Sequence, residues 1–141
     1  MSLSDMEAAG ELEPMAHTPE ELESLLRMAK RRLGDAQLDQ LSAESRMVNA
    51  YQCIHGFARA MLRAQDYRVP NGPRQHYLTL ETLRFTLGMD AKKVSYCQAL
   101  RSKRHKDEYE GTLEVSDTEA EEAADFAAKL LEVTKTKLRQ S

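Results

Sequence analysis

The residues best suited to chemistry lie at the end of a predicted basic helix, over residues 100–109. Arg101 and His105 share one face of this helix, because side chains four residues apart are neighbours. Arg104 lies at the edge of the apolar seam, four residues after Leu100. An arginine held there can bind phosphate oxygens with both arms of its guanidinium. The segment predicts an anion-binding face formed by Arg101, Arg104, His105 and Tyr109.

The same segment also has a purely structural interpretation. Lys and Arg near a helix C-terminus oppose the helix dipole favourably. Residues 46–106 contain twelve Lys or Arg against three acids, whereas residues 107–125 contain nine acids and no Lys or Arg. The first 24 residues add seven acids. This basic block can attract phosphates, or it can pair with the acidic flanks of its own chain, and both interpretations stay open.

Other polar residues are candidates for the same face. His76 follows the Pro/Gly loop at residues 69–73, and with Arg68 and Arg84 it joins Arg101 and Arg104 in one positive pocket if that loop folds back. His55 borders an apolar stripe and is interpreted as a packed histidine bonded to an oxygen atom. Tyr51, Tyr67 and Tyr77 are expected to fill core and loop contacts. His17 is expected to be inert.

Several other functions find no support in the sequence. No Glu-x-x-His or His-x-x-x-His pair, Gly-rich phosphate loop or nucleophile triad is present, so neither a metal nor a cofactor is expected. Cys53 and Cys97 lie on apolar stripes and are interpreted as small buried hydrophobic residues. No apolar run approaches the roughly 18 residues that cross a membrane. We therefore expect a cytoplasmic protein with no membrane partner.

The hydrophobic spacing predicts an all-α, up-and-down bundle of about five helices. The first runs from a capping box at Thr18–Glu21 to Gly34, and the second runs from Ser42 to about Tyr67. The third spans about 76–87, the fourth runs from Asp90 to Gly111, and a second capping box at Ser116–Glu119 opens the last. Residues 1–17 are expected to be a disordered acidic tail, and residues 18–141 a single helical domain.

From about Ala43 to Lys137 the chain resembles the HEPN domain family, in the type associated with prokaryotic toxin–antitoxin modules. The order of elements matches: a long helix, a Pro/Gly loop, a short helix and a basic helix. The motifs that carry the resemblance are Tyr51-x-x-x-His55, Ala58-Arg59-Ala60-Met61-Leu62, Asp66-Tyr67-Arg68, Gln75-His76-Tyr77 and Leu100-Arg101-Ser102-Lys103-Arg104-His105-Lys106-Asp107-Glu108-Tyr109.

The resemblance implies a homodimer and, in active members, metal-independent RNA cleavage at a cleft shared by two subunits. Such members use an Arg, four to six intervening residues and a His. Here the Arg is Arg104, but Tyr109 occupies the position of the His. Tyrosine has a pKa of about 10, whereas acid–base catalysis near neutrality favours a group that titrates there. His105 is rotated about 100° from Arg104 around the helix and is a poor substitute.

Three hypotheses follow. The favoured one is a dimeric binding module whose Arg/Tyr-lined cleft accepts RNA, a nucleotide or an acidic partner, including an antitoxin or a nucleotidyltransferase. The second is a ribonuclease with an altered site, in which Arg104, Tyr109 and His105 would act. The third is a purely structural interaction domain, in which the basic helix pairs with acidic segments.

Overall fold

The computed structural model describes residues 1–110 and 114–140, with the side chains of residues 107–110 outside the description. The all-α prediction is confirmed, because both strands in this part of the chain contain only two residues. In chain order the elements are α1 (Leu3–Ala8), β1 (Glu13–Pro14), α2 (Pro19–Ala36), α3 (Ala43–Ala64), β2 (Tyr67–Arg68), α4 (Gln75–Glu81), α5 (Leu83–Thr86), α6 (Ala91–Glu110) and α7 (Asp117–Arg139).

The predicted helix starts are confirmed by their caps. The hydroxyl of Thr18 accepts a hydrogen bond from the backbone N–H of Glu21 at 3.1 Å, and Ser42 caps α3 in the same way. Ser116 and Glu119 form the reciprocal capping box at the start of α7. These bonds satisfy amide groups that have no partner within the helix.

Three predicted helix bounds differ from the structure. Helix α3 ends at Ala64 rather than at about Tyr67, which lies in β2. Helix α2 continues through Gly34 to Ala36, because an isolated glycine weakens a helix without ending it. The predicted third helix is divided into α4 and α5 at Thr82, which is fully buried. Its hydroxyl donates to the carbonyl of Thr79 at 2.6 Å, and such back-bonding often bends helices. The predicted end of α6 at Gly111 lies outside the described residues.

Helix α3 forms the centre of the bundle and packs mainly against α2 and α7. A Cβ added at Gly56 would lie 3.1 Å from the Cβ of Ala29, so the glycine permits the close approach of α2 and α3. Cys53 and Cys97 are free and buried, and burial raises the pKa of both thiols to about 12. Their interpretation as buried hydrophobic residues is confirmed.

The N-terminal segment, residues 1–17, differs from the expected disordered tail. It forms α1 and β1, and its Met6 and Leu12 are buried against Leu62, Val69 and Leu78. Strand β1 pairs antiparallel with β2, which places Glu13 opposite Arg68. Apolar burial and backbone pairing therefore order a segment whose own composition favours disorder.

The N-terminal segment is also held through Arg63, a buried residue near the end of α3. Its Nε donates to Glu21 at 2.6 Å, and its other nitrogens donate to the carbonyl oxygens of Met15, Ala16 and Tyr67 at 2.8–3.0 Å. Asp66, at φ 64°, accepts two hydrogen bonds from His17, which lower the pKa of its carboxyl. His17 thus has a structural contact that its predicted inert role did not include.

Across the described ranges, the helices are too short or too polar for any of them to cross a lipid bilayer.

Candidate functional site

Helices α3 and α4 bring two histidines and a tyrosine together, and we call Tyr51, His55 and His76 the His–Tyr cluster. Tyr51 and His55 lie one turn apart on α3, and His76 is the second residue of α4. The hydroxyl of Tyr51 hydrogen-bonds Nδ1 of His76 at 2.8 Å. The imidazole rings of His55 and His76 stack with centroids 4.0 Å apart and an angle of 9° between their planes.

Arg104 extends from α6 to this cluster. Its Cζ lies 5.6 Å from the centroid of the Tyr51 ring, within the range of a cation–π interaction. The structure therefore brings together Arg104 and His76, which were both predicted for one pocket, and adds Tyr51 and His55.

Arg101 lies one turn before Arg104 and is positioned by a second aromatic residue. Its Cζ is 5.6 Å from the ring centroid of Tyr77, and its Nε donates to the side chain of Gln98 at 2.8 Å. Gln98 in turn donates to the backbone oxygen of Tyr77 at 3.0 Å and to Glu81 at 2.8 Å. These contacts fix the half-buried arginine relative to α4.

The remaining predicted residues have different positions. The structure does not place Arg68 and Arg84 in one pocket with Arg101 and Arg104. Arg68 forms an ion pair with Glu13 across the two strands, and Arg84, on α5, pairs at 3.2 Å with Glu81 at the end of α4. Each of these arginines is instead paired with a carboxylate, and the sequence did not predict either pairing. His105 is exposed on α6, and the side chain of Tyr109 lies outside the described residues.

His55 also differs from its expected role as a histidine bonded to an oxygen atom. Its Nε2 is buried, and within residues 1–106 and 114–140 it has no hydrogen-bond partner. Burial, followed by the nearby charges of His76, Arg59 and Arg104, lowers the pKa of His55 to about 3. The ring is therefore neutral at physiological pH. The Tyr51-x-x-x-His55 spacing placed both on one face, but the stacking partner came from a helix beyond the loop.

Some charges of the basic block are paired with acidic residues, as the structural interpretation expects. Arg46 contacts Asp117 at 2.8 Å, and Lys103 forms an ion pair with Glu119. Lys103 also lowers the pKa of the Glu119 carboxyl. Both pairs join the basic block to α7. Metal coordination is not indicated, since the described side chains form no group of three or more metal ligands.

These features define an all-α bundle with an arginine-rich helix set against a His–Tyr cluster. The HEPN domain family model matches residues 22–137, which is most of the chain, and the chain belongs to the HEPN domain family. Comparisons with curated proteins and with solved structures give no significant match.

Proposed function

We propose that this HEPN domain is a dimeric cytoplasmic binding module that holds single-stranded RNA or a nucleotide through Arg101, Arg104 and Tyr109 without cutting it. The observation that carries the proposal is the spacing of the two arginines. They lie one turn apart on α6, and each guanidinium lies over an aromatic ring, Tyr77 or Tyr51.

This arrangement supports phosphate binding for an electrostatic and a geometric reason. Two fixed cations at one helical turn attract a phosphate backbone. Their contacts with the aromatic rings and with Gln98 restrict the side chains before a ligand arrives, so less conformational entropy is lost on binding. Tyr109 is proposed to add a hydrogen bond or a stacking contact with a base.

The proposal includes no cleavage because the chemistry of the residues does not favour it. His55 is neutral at physiological pH and does not protonate until about pH 3, so it is a poor general acid near neutrality. Tyr109 stands where active relatives would keep a histidine. The ribonuclease alternative is thus less well supported than binding.

The test is fluorescence anisotropy with a labelled single-stranded RNA in a salt titration. Arg104→Ala should weaken binding at least tenfold. It should also reduce the dependence of log K on log salt by about 0.7, because one cation no longer neutralises a phosphate. Arg101→Ala serves as a second variant if Arg104→Ala unfolds. Arg32→Ala, an exposed position on α2, is the matched control and should bind like the wild type.

Three results would contradict the proposal. Salt-independent binding that survives Arg104→Ala would exclude this site. Metal-free RNA cleavage abolished in Arg104→Ala and reduced in Tyr109→Phe would establish the ribonuclease. If the protein sediments as a monomer and still binds RNA, the dimeric part of the proposal is wrong.

The structural alternative has its own support, because Arg46 and Lys103 pair with acids of α7. In that case charge reversal at Asp107 and Glu108 lowers the melting temperature while no RNA binds. An acidic protein, such as an antitoxin or a nucleotidyltransferase, is a further candidate for the same face. It would compete with RNA in the anisotropy assay.

A further inference from the structure

A second polar site lies between α3, β2 and the start of α4. It is a cavity of about 120 Å³. Its lining includes seven side chains that can donate hydrogen bonds: His55, Arg59, Arg63, Arg68, Asn71, Gln75 and Thr79. Within the described part of the chain, the lining of this cavity does not include Tyr51, His76, Arg101 or Arg104. The cavity is therefore distinct from the site of the proposed function. His55 lines the cavity and also stacks on His76 in the His–Tyr cluster beside that site.

The donors of this cavity are not all engaged by the protein. Nε2 of His55 is buried and has no hydrogen-bond partner among the described residues. A buried polar atom without a partner is unfavourable, and a ligand whose entry brings an acceptor within reach of this atom would satisfy it. In its Nε2–H tautomer a neutral imidazole can donate this bond to an anion.

The charges around the cavity leave an excess of positive charge. Arg63 is paired with Glu21, and Arg68 with Glu13, so two of the three arginines there are compensated. Arg59 is exposed and forms no ion pair with the residues described. Its charge also acts on His55, as the depressed pKa of that imidazole reflects. The cavity therefore favours an anionic occupant.

The size of the cavity restricts what can enter. Sites for drug-sized ligands usually start at about 300 Å³, so a cavity of about 120 Å³ is too small for a nucleoside but suits one tetrahedral anion. The donors belong to α3, β2, the loop at residues 69–74 and α4. Donors on separate elements can bond to several oxygens of one phosphate, whereas a carboxylate offers only two oxygens.

We propose that this cavity is a binding site for a single phosphate group, presented either as free phosphate or as the terminal phosphate of an oligonucleotide. Arg59 supplies the charge, and His55, Asn71 and Gln75 supply directional hydrogen bonds. The proposal does not depend on the function proposed for Arg101 and Arg104.

The direct test is titration of the full chain with inorganic phosphate at low salt, followed by NMR of backbone amides and of the His55 ring. We expect the Nε2 resonance of His55 and the amides of Arg59 and Gln75 to shift together, with one dissociation constant. Arg59→Gln should raise the dissociation constant for phosphate roughly tenfold, which is the effect of losing one charge-assisted hydrogen bond. Arg32→Gln, on α2, should not change it.

A second variant adds a negative charge without changing the cavity's volume. Gln75 is the first residue of α4, where a carboxylate is favourable for the helix. Gln75→Glu should therefore fold normally and abolish phosphate binding. Gln40→Glu, in an exposed loop, has the same change in net charge and should bind like the wild type.

Two oligonucleotides distinguish the sources of phosphate. If the site binds a terminal phosphate, a 5′-phosphorylated oligouridylate should bind more tightly than its 5′-hydroxyl form. This difference should be abolished in Gln75→Glu. Equal binding of both forms, with inorganic phosphate still bound, identifies free phosphate.

Loss of inorganic phosphate binding in Arg104→Ala but not in Gln75→Glu would overturn the proposal, because the ion would then occupy the α6 site. No shift at His55 at saturating phosphate would also overturn it. A wild-type phosphate response in Arg104→Ala, together with abolished RNA binding, would separate the two sites.

Discussion

Arg63 and Arg104 show two ways in which this bundle accommodates an arginine between helices. Arg63, at the end of α3, is buried and donates to one carboxylate and three backbone carbonyls. Arg104, on α6, is half-buried and lies over the ring of Tyr51. The first arginine joins the N-terminal segment to the core, whereas the second is held beside a cluster of titratable rings.

The difference teaches what each position is suited for. A guanidinium whose nitrogens bond to fixed oxygens of its own chain is a structural element, because a ligand would have to displace several good hydrogen bonds. A guanidinium placed over a ring interacts through its face and its charge. We therefore expect the two arginines to differ in how much stability each one contributes.

The largest effect is expected from Arg63→Met. Methionine retains the apolar stem but leaves Glu21 and three carbonyl oxygens without their donor, so the free energy of unfolding should fall by about 3 kcal/mol. Urea unfolding measures this decrease. Limited proteolysis should also show faster cleavage between residues 9 and 18, because the N-terminal segment loses its anchor. A decrease below about 1 kcal/mol would mean that the strand pairing and Leu12 hold this segment alone.

The next effect depends on His55, which lies between the two regions. Its pKa is about 3 in the folded protein and about 6.5 when unfolded, so between these values the unfolded chain binds more protons. Stability should be fully present above pH 6.5 and fall as the pH drops, by about 2 kcal/mol at pH 5. Urea unfolding at several pH values measures this decrease.

The contribution of His55 is isolated by comparing variants over the same pH range. His55→Gln should remove this part of the pH dependence, and His105→Gln, at an exposed position on α6, should keep it. If the two variants follow the same curve, His55 is not the group responsible.

Sequence reasoning succeeded where a feature depends on neighbouring residues. The caps at Ser42 and Ser116 are local hydrogen bonds within one turn, so residue type and spacing were enough to locate α3 and α7. The order of the N-terminal segment could not be found in this way. It depends on the packing of Leu12 against residues 50 to 66 positions later in the chain, and on the carbonyl groups that accept hydrogen bonds from Arg63.

In the candidate site, too, the features that depend on local sequence were predicted and those that depend on packing were not. Periodicity placed Arg101 and Arg104 on α6, and the loop position indicated His76. The stacking of His55 on His76 depends on how α4 packs against α3 across the loop at residues 69–74, and no local pattern encodes that packing. The role of Tyr109 stays a prediction.

The smallest effect is expected from Arg104→Met, and it decides whether the comparison between the two arginines holds. Methionine fills the space beside Tyr51 but removes the charge of a half-buried guanidinium. Because water weakens the polar contacts of a partly exposed side chain, the decrease in unfolding free energy should be smaller than that caused by Arg63→Met, measured by urea unfolding under identical conditions. Because the charge also lowers the pKa of His55, the variant should raise that pKa, which NMR can follow. A decrease as large as that of Arg63→Met would make Arg104 a structural residue, and the Arg101–Arg104 face would lose its main support as an anion site.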